Sequence, residues 1–332
     1  MLFPHLPNTP APTLIYPNFP VSPHFSYYVL KYKTVPYLGE LAALFTSLCW
    51  ALSAVGFTNA THSFGSQVTN RVRVVLALLA LLVINTFLYR NLIPFDAGSS
   101  RWMWLTLSGI VGLALGDGFL FSAYKHIGPR LGLLVLSLAP VFGTAIAWVF
   151  LGETLNLLQI AGILVTLGGI SYVVTVRPGE NGPIDRSLAK GVLFGVLAAM
   201  GQAVGLVFSR LGMTGNFPPF AGSLIRMLAA ALLLWLVAAL QGEAGASVKS
   251  VRSHPEGLRW ALFGALFGPV IGVSASLLSI QHAEVGVAST LMALPPLFML
   301  PISYFALKEQ VTLRSIAGTL VAIAGVALLF LG

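Results

Sequence analysis

The stretch SLAPVFGTAIAWVFLGETL at 137–155 returns as ALPPLFMLPISYFALKEQV at 293–311. The offset of 156 carries Pro140 onto Pro296 and Glu153 onto Glu309. Outward from this core the register holds, with Trp104 on Trp260, Gly112 on Gly268, Gly116 on Gly272, Gly162 on Gly318 and Gly169 on Gly325. Further upstream the offset shrinks, to 153 for Arg73 and Arg226 and to 152 for Trp50 and Gln202. The matched stretches are almost wholly apolar, so each is expected to span a membrane several times. Duplicated polytopic chains of this kind point to transport, with the substrate site where the repeats meet.

Composition supports a lipid-embedded chain. Of 332 residues 57% are hydrophobic and 8% charged, against about 25% charged in a soluble domain. Too few polar groups are present to cover a water-facing surface, so lipid must cover it. The net charge of +8 then belongs mostly to loops and reports orientation, and no nucleic-acid partner is expected. The single cysteine, Cys49, excludes an intrachain disulfide and a thiolate metal cluster. No metal or cofactor is expected.

From Tyr37 onward the apolar runs predict ten helices, at about 38–59, 70–90, 102–124, 130–151, 155–175, 188–209, 218–240, 258–281, 285–306 and 311–331. Each is long enough for about 30 Å of hydrocarbon. The third to fifth helices match the eighth to tenth, so the unit is five helices. An odd number makes the second unit enter the membrane from the opposite side. The expected fold is all-α and polytopic, with two inverted five-helix repeats at 37–176 and 187–332. Residues 1–36 hold eight prolines and are expected to form a disordered tail without a secretory leader.

Charges inside spanning helices need an account, because each costs at least about 2.5 kcal/mol at the bilayer centre. Arg73, Asp117 and Arg226 are three such residues. Arg73 and Asp117 fall at comparable depth and are candidates for an ion pair, with a proton-carrying role for Asp117 as the sharper alternative. Arg226 takes the place of Arg73 in the second unit, but the residue matching Asp117 there is Val273. An arginine without its carboxylate suits an anionic group, to which its planar fork donates. Arg226 is therefore the first candidate for substrate binding, with Arg73, Trp50 and Gln202 as further pocket candidates. An amide such as Gln202 must face a partner or a cavity inside a bilayer.

Other signals have plainer readings. Gly112 and Gly116, and their mates Gly268 and Gly272, form stripes that let another helix approach closely. Pro140 and Pro296 are expected to kink the fourth and ninth helices, either as hinges of a rocking carrier or as passive bends. Glu153 and Glu309 fit helix N-terminal caps. His126 and His282 sit at helix ends and read as solvated caps.

The combination resembles the EamA-type members of the drug/metabolite transporter superfamily. It is carried by 137–155 with QIAGILVTLGGI (159–170), by 293–311 with SIAGTLVAIAGV (315–326), and by Trp50 and Arg73. Lys308 where the first half has Gly152, and Gln202 where it has Trp50, depart from the pattern. The resemblance implies a secondary carrier in a bacterial inner membrane, often an exporter of amino acids and other metabolites, with its pocket between the halves. A nucleotide-sugar or phosphate-ester exchanger is the runner-up. A non-transporting scaffold or receptor is the alternative from another class. A homodimer is conceivable, although two repeats already supply the pseudo-dimer.

The rival classes lack their signatures. No H-E-x-x-H, G-x-S-x-G or paired carboxylates on one helix face support a membrane enzyme, and no G-x-x-x-x-G-K-[ST] supports ATP drive. Orientation is contested. Lys31, Lys33, Arg90, Arg101 and Arg210 fall on the face of the termini, and the other eleven loop cations on the opposite face. The positive-inside rule then places the termini outside, whereas the resemblance implies that they are cytoplasmic.

Overall fold

The computed structural model describes residues 37–151, 156–174, 186–215, 217–283, 285–308 and 310–331. The proline-rich stretch 1–36, Glu153 and Glu309 lie outside the described residues. Among the described residues the chain is helical, without strands. Its helices are α1 (Leu38–Phe64), α2 (Ser66–Tyr89), α3 (Ser99–Leu136), α4 (Ala139–Leu151), α5 (Leu157–Val174) and α6 (Arg186–Gly212), then α7 (Pro219–Leu240), α8 (Ala244–Ser253), α9 (Pro255–His282), α10 (Val285–Met292), α11 (Pro295–Phe305) and α12 (Leu313–Leu331). Six of them, α1, α2, α3, α6, α7 and α9, are long and apolar enough to cross a membrane. Leu157–Val173, Thr290–Phe305 and Leu313–Leu328 are shorter apolar segments.

The fourth and ninth apolar runs break instead of bending. α3 contains a non-helical Gly128 at φ 72° and ψ 170°, after which Pro129 opens the fourth run. That run stops at Leu136 and restarts at Ala139, and its counterpart stops at Met292 and restarts at Pro295. The cause is Pro140 and Pro296. A proline ring collides with the carbonyl four residues earlier, here that of Leu136 and of Met292, so neither helix can run through. Each proline instead sits in the first turn of the next segment, where its missing N–H costs nothing.

Matched departures also occur within α3 and α9. Gly109–Gly116 and Leu266–Gly272 are π-helical, at the same place in the repeat. In α9 the segment contains Pro269, which supplies no N–H. In α3 it brings the Asp117 N–H onto Gly112 O and presents widened backbone beside the charged residues.

The halves interlock. α1, from the first half, packs on α9, α10 and α11, while its repeat mate α6 packs on α3 and α4. Glycine makes the second crossing close. A Cβ added at Gly205 would lie 2.9 Å from the Gly112 Cα, and one at Gly201 2.9 Å from the Gly116 Cα. Ser108 ties the same crossing, its Oγ donating to Gly205 O at 2.6 Å. A leucine at Gly205 is expected to cost about 1–3 kcal/mol through this overpacking, read as a lower thermal midpoint of the purified protein. An unchanged midpoint would mean that α6 does not seat on α3 this closely.

Two further pairs are repeat mates packed on each other. α5 meets α12 where Gly169 faces Ala322 and Gly325 faces Thr166, an antiparallel crossing of residues that correspond at offset 156. α2 meets α7, with Asn85 Nδ2 donating to Phe220 O at 3.2 Å near one end and Trp235 Nε1 to Arg71 O at 3.2 Å near the other. These bonds make the pair antiparallel and bring Leu76 level with Ala229, themselves mates at offset 153. Arg73 and Arg226 then stand three residues to either side, about 9 Å apart along the helix axes at 1.5 Å per residue.

Candidate functional site

The site grows from α3, whose π-helical turn lies beside α2, α6 and α7. Asp117 follows that turn and points into a cluster of polar groups from three helices. Arg73 Nη2 lies 2.7 Å from Asp117 Oδ2, and Gln202 Nε2 donates to Oδ1 at 2.6 Å. Both carboxylate oxygens are thus engaged, one by a charge of the first half and one by an amide of the second. Charge-assisted bonds of this length are the strong class.

Arg73 is held on several sides. Its Nη2 also donates to Leu113 O at 2.6 Å, and its Nε to Asn70 Oδ1 at 2.9 Å. Asn70 in turn donates to Ala114 O at 2.8 Å. Leu113 and Ala114 belong to the π-helical turn, so its backbone carbonyls serve as acceptors for the α2 side chains. The guanidinium faces the Phe121 ring at 5.1 Å and the Phe57 ring at 5.8 Å, a cation–π setting. At 1% exposure Arg73 is sealed from solvent.

Arg226 is placed differently. Its backbone passes against Gly109, where an added Cβ would collide with it, and its Nη2 lies 3.6 Å from where a Cβ on Gly112 would be. The residue is 5% exposed, and its buried Nε has no hydrogen-bond partner among the described residues. It reaches the first half beside Gly112, within electrostatic range of both Asp117 and Arg73. Sequence correspondence alone places Arg226 beside Val273 and away from any carboxylate. The structure sets it against Gly109 and Gly112 of the turn that leads into Asp117 instead, because α7 packs on the π-helical turn of α3. Among the described residues, two guanidiniums and one carboxylate, itself only 7% exposed, leave the buried cluster one positive charge in excess.

Trp50 and Gln202, mates at offset 152, occupy corresponding crossings and do different things. Gln202 binds Asp117. Trp50 is half-buried against Gly272, whose added Cβ would come 2.9 Å from the indole Cδ1, and it packs with the apolar group around Met213, Phe217 and Ile225. The duplicated scaffold therefore carries a polar crossing in one half and an apolar one in the other. Gly112 and Gly116 line the polar side through backbone approach, and Gly268 and Gly272 seat Ser53, Phe57 and Trp50 on the other. Pro140 and Pro296 lie outside the cluster, at the helix restarts.

Asn70 is the member that sequence reading passes over. An amide three residues before an intramembrane arginine shares its helix face, and that spacing is the signal that finds it. Tyr124, buried and close enough to feel both Asp117 and Arg73, lies seven residues after Asp117 on the same helix and could be found the same way.

Comparison with known proteins agrees with this architecture. The EamA-like transporter family matches the chain twice, over residues 37–175 and 189–331. An uncharacterized transporter of Archaeoglobus fulgidus is 21% identical over 291 residues, covering 88% of this chain and 97% of that one. An uncharacterized transporter of Synechocystis is 24% identical over 236 residues, covering 69% of this chain and 66% of that one. A solved crystal structure, 21% identical, superposes with a TM-score of 0.59 over 87% of this chain and 94% of the other, a likeness of fold.

Proposed function

The chain belongs to the EamA-like transporter family and is an integral multi-pass membrane transporter, and we propose that it is a secondary carrier of small anionic or zwitterionic metabolites. In this reading ten spans form two inverted five-helix repeats, 37–176 and 187–332, that move by alternating access, with net export as the direction the family resemblance implies. The observation that carries it is the buried charge excess between α2, α3, α6 and α7, with Arg226 holding an unpartnered Nε. A buried guanidinium whose Nε has no hydrogen-bond partner is costly, and a ligand anion supplies one.

The same geometry favours a monoanionic group. Asp117 stands one turn from Gly112, so a ligand anion on Arg226 would share the site with a fixed carboxylate, and a net charge of one is balanced by one negative charge. Amino-acid-like solutes fit this better than phosphate dianions, which keeps a phosphate-ester or nucleotide-sugar exchanger as the second reading. Asp117, held by Arg73 and Gln202, acts here as the fixed counter-ion. Trp50 lines the apolar side, and the breaks before Pro140 and Pro296 are the places where the half-helices can tilt.

Ligand-induced thermal stabilisation, run over an amino-acid and phosphate-ester library with wild type and Arg226→Ala in parallel, tests the reading. The expected result is stabilisation of the wild type by a carboxylate-bearing compound, lost in Arg226→Ala. A compound that stabilises both proteins equally would remove Arg226 from the site.

A further inference from the structure

A second cross-half cluster, on the face where α2 begins and α7 ends, has no part in the site above. Arg71 is 4% exposed, yet its guanidinium reaches out of its own half. Nη2 lies 2.7 Å from Glu243 Oε2, and Nη1 donates to Ser247 Oγ at 2.9 Å. Ser247 passes the bond on, donating to Glu243 O at 2.9 Å. Gln67 Oε1 accepts a further bond from Nη2 at 3.3 Å. Meanwhile Trp235 Nε1 of α7 donates to Arg71 O. One residue of α2 thus fastens both the end of α7 and the short helix α8, which is all second-half structure.

The cluster is one-sided. The mate of Arg71 at offset 153 is Leu224, buried on α7, so no ion pair of this kind can form at the corresponding place on the other face. There Arg101 holds backbone instead, donating to Gly212 O at 3.1 Å and Thr214 O at 2.9 Å, with its guanidinium 4.4 Å from the Phe217 ring. Glu243, with its side chain 49% exposed, is with the exposed Gln67 the part of the cluster that water can reach and compete for. Arg73 lies two residues further along α2, behind Arg71.

We propose that Arg71, Glu243 and Ser247 form a latch that straps α8 of the second half to α2 of the first, and that its release opens this face toward Arg73 and Asp117. The latch rests on the alternating-access reading. Among the described residues this face alone carries such an ion pair, so the two openings differ in kind, and the opening of this face depends on an ion pair with a solvent-exposed member.

The test uses the full chain in liposomes, with Cys49→Ala and one reporter cysteine at a time, labelled by a membrane-impermeant maleimide. Thr69→Cys, a buried position in the first turn of α2 two residues before Arg71, reports this face; Met213→Cys, buried at the end of α6, reports the other. Glu243→Gln keeps the shape and removes the charge. It is expected to raise Thr69→Cys labelling roughly three- to tenfold and to leave Met213→Cys labelling unchanged or lower. The charge-reversed pair Arg71→Glu with Glu243→Arg is expected to restore slow labelling where Arg71→Glu alone does not. Unchanged Thr69→Cys labelling in Glu243→Gln overturns the latch while leaving the carrier reading standing. A rise of both reporters together overturns the carrier reading beneath it, since the halves would then be separating instead of opening one face.

Discussion

Asp117→Ala is expected to destabilise the purified protein by about 3–5 kcal/mol, the cost of breaking a buried ion pair from one side. The variant leaves Arg73, at 1% exposure, without its carboxylate, and Gln202 without its acceptor. It also removes the one fixed negative charge near Arg226 among the described residues. Removing both partners should cost far less. Arg73→Met with Asp117→Leu puts apolar groups where two desolvated charges stood, and such replacements are often close to neutral. The cycle is read from unfolding of the single and double variants in detergent. Additive losses, with the double variant as damaged as the two singles combined, would mean that the pair is not coupled as its 2.7 Å contact requires.

The second large effect has opposite signs on stability and function. Arg226→Leu is expected to stabilise the ligand-free protein by about 1–2 kcal/mol, because a buried guanidinium with an unpartnered Nε carries a desolvation cost that leucine lacks. The same change is expected to weaken binding of an anionic solute at least about thirtyfold, the usual scale for losing one partner of a buried charge contact. Sites that hold strain or uncompensated charge for function commonly show this trade. Melting and binding measured on the same preparation check it. A variant that loses both stability and binding would make Arg226 a structural residue and the account of the site wrong.

Much of the fold is legible in the sequence because apolar runs of membrane length leave few alternatives, and because the duplication fixes which runs correspond. The comparable depth of Arg73 and Asp117 follows from counting residues along the second and third helices. What counting does not yield is how helices rotate against one another. Gln202 meets Asp117, and Arg226 meets Gly112, through the α6–α3 and α7–α3 crossings, whose closeness depends on Gly201, Gly205 and Gly109 facing backbone. Glycine stripes announce a close contact without naming the partner. The restart after Leu136 and Met292 is readable in hindsight from Pro140 and Pro296, since a proline ring acts on the carbonyl four residues back and so ends the helix ahead of itself. The π-helical turns have no such marker in α3, where glycine permits them but does not require them.

The measurement that bears most directly on the central claim is solute counterflow in proteoliposomes, using a compound that stabilises the wild-type protein. With unlabelled solute inside and a trace of labelled solute outside, a carrier whose single site faces each side in turn is expected to accumulate label transiently above its equilibrium level. Arg226→Ala should abolish that overshoot. Entry of label that rises monotonically to equilibrium, without saturation and unaffected by the internal solute, would contradict an alternating-access carrier. An overshoot fully retained in Arg226→Ala would contradict the buried arginine as its anion site.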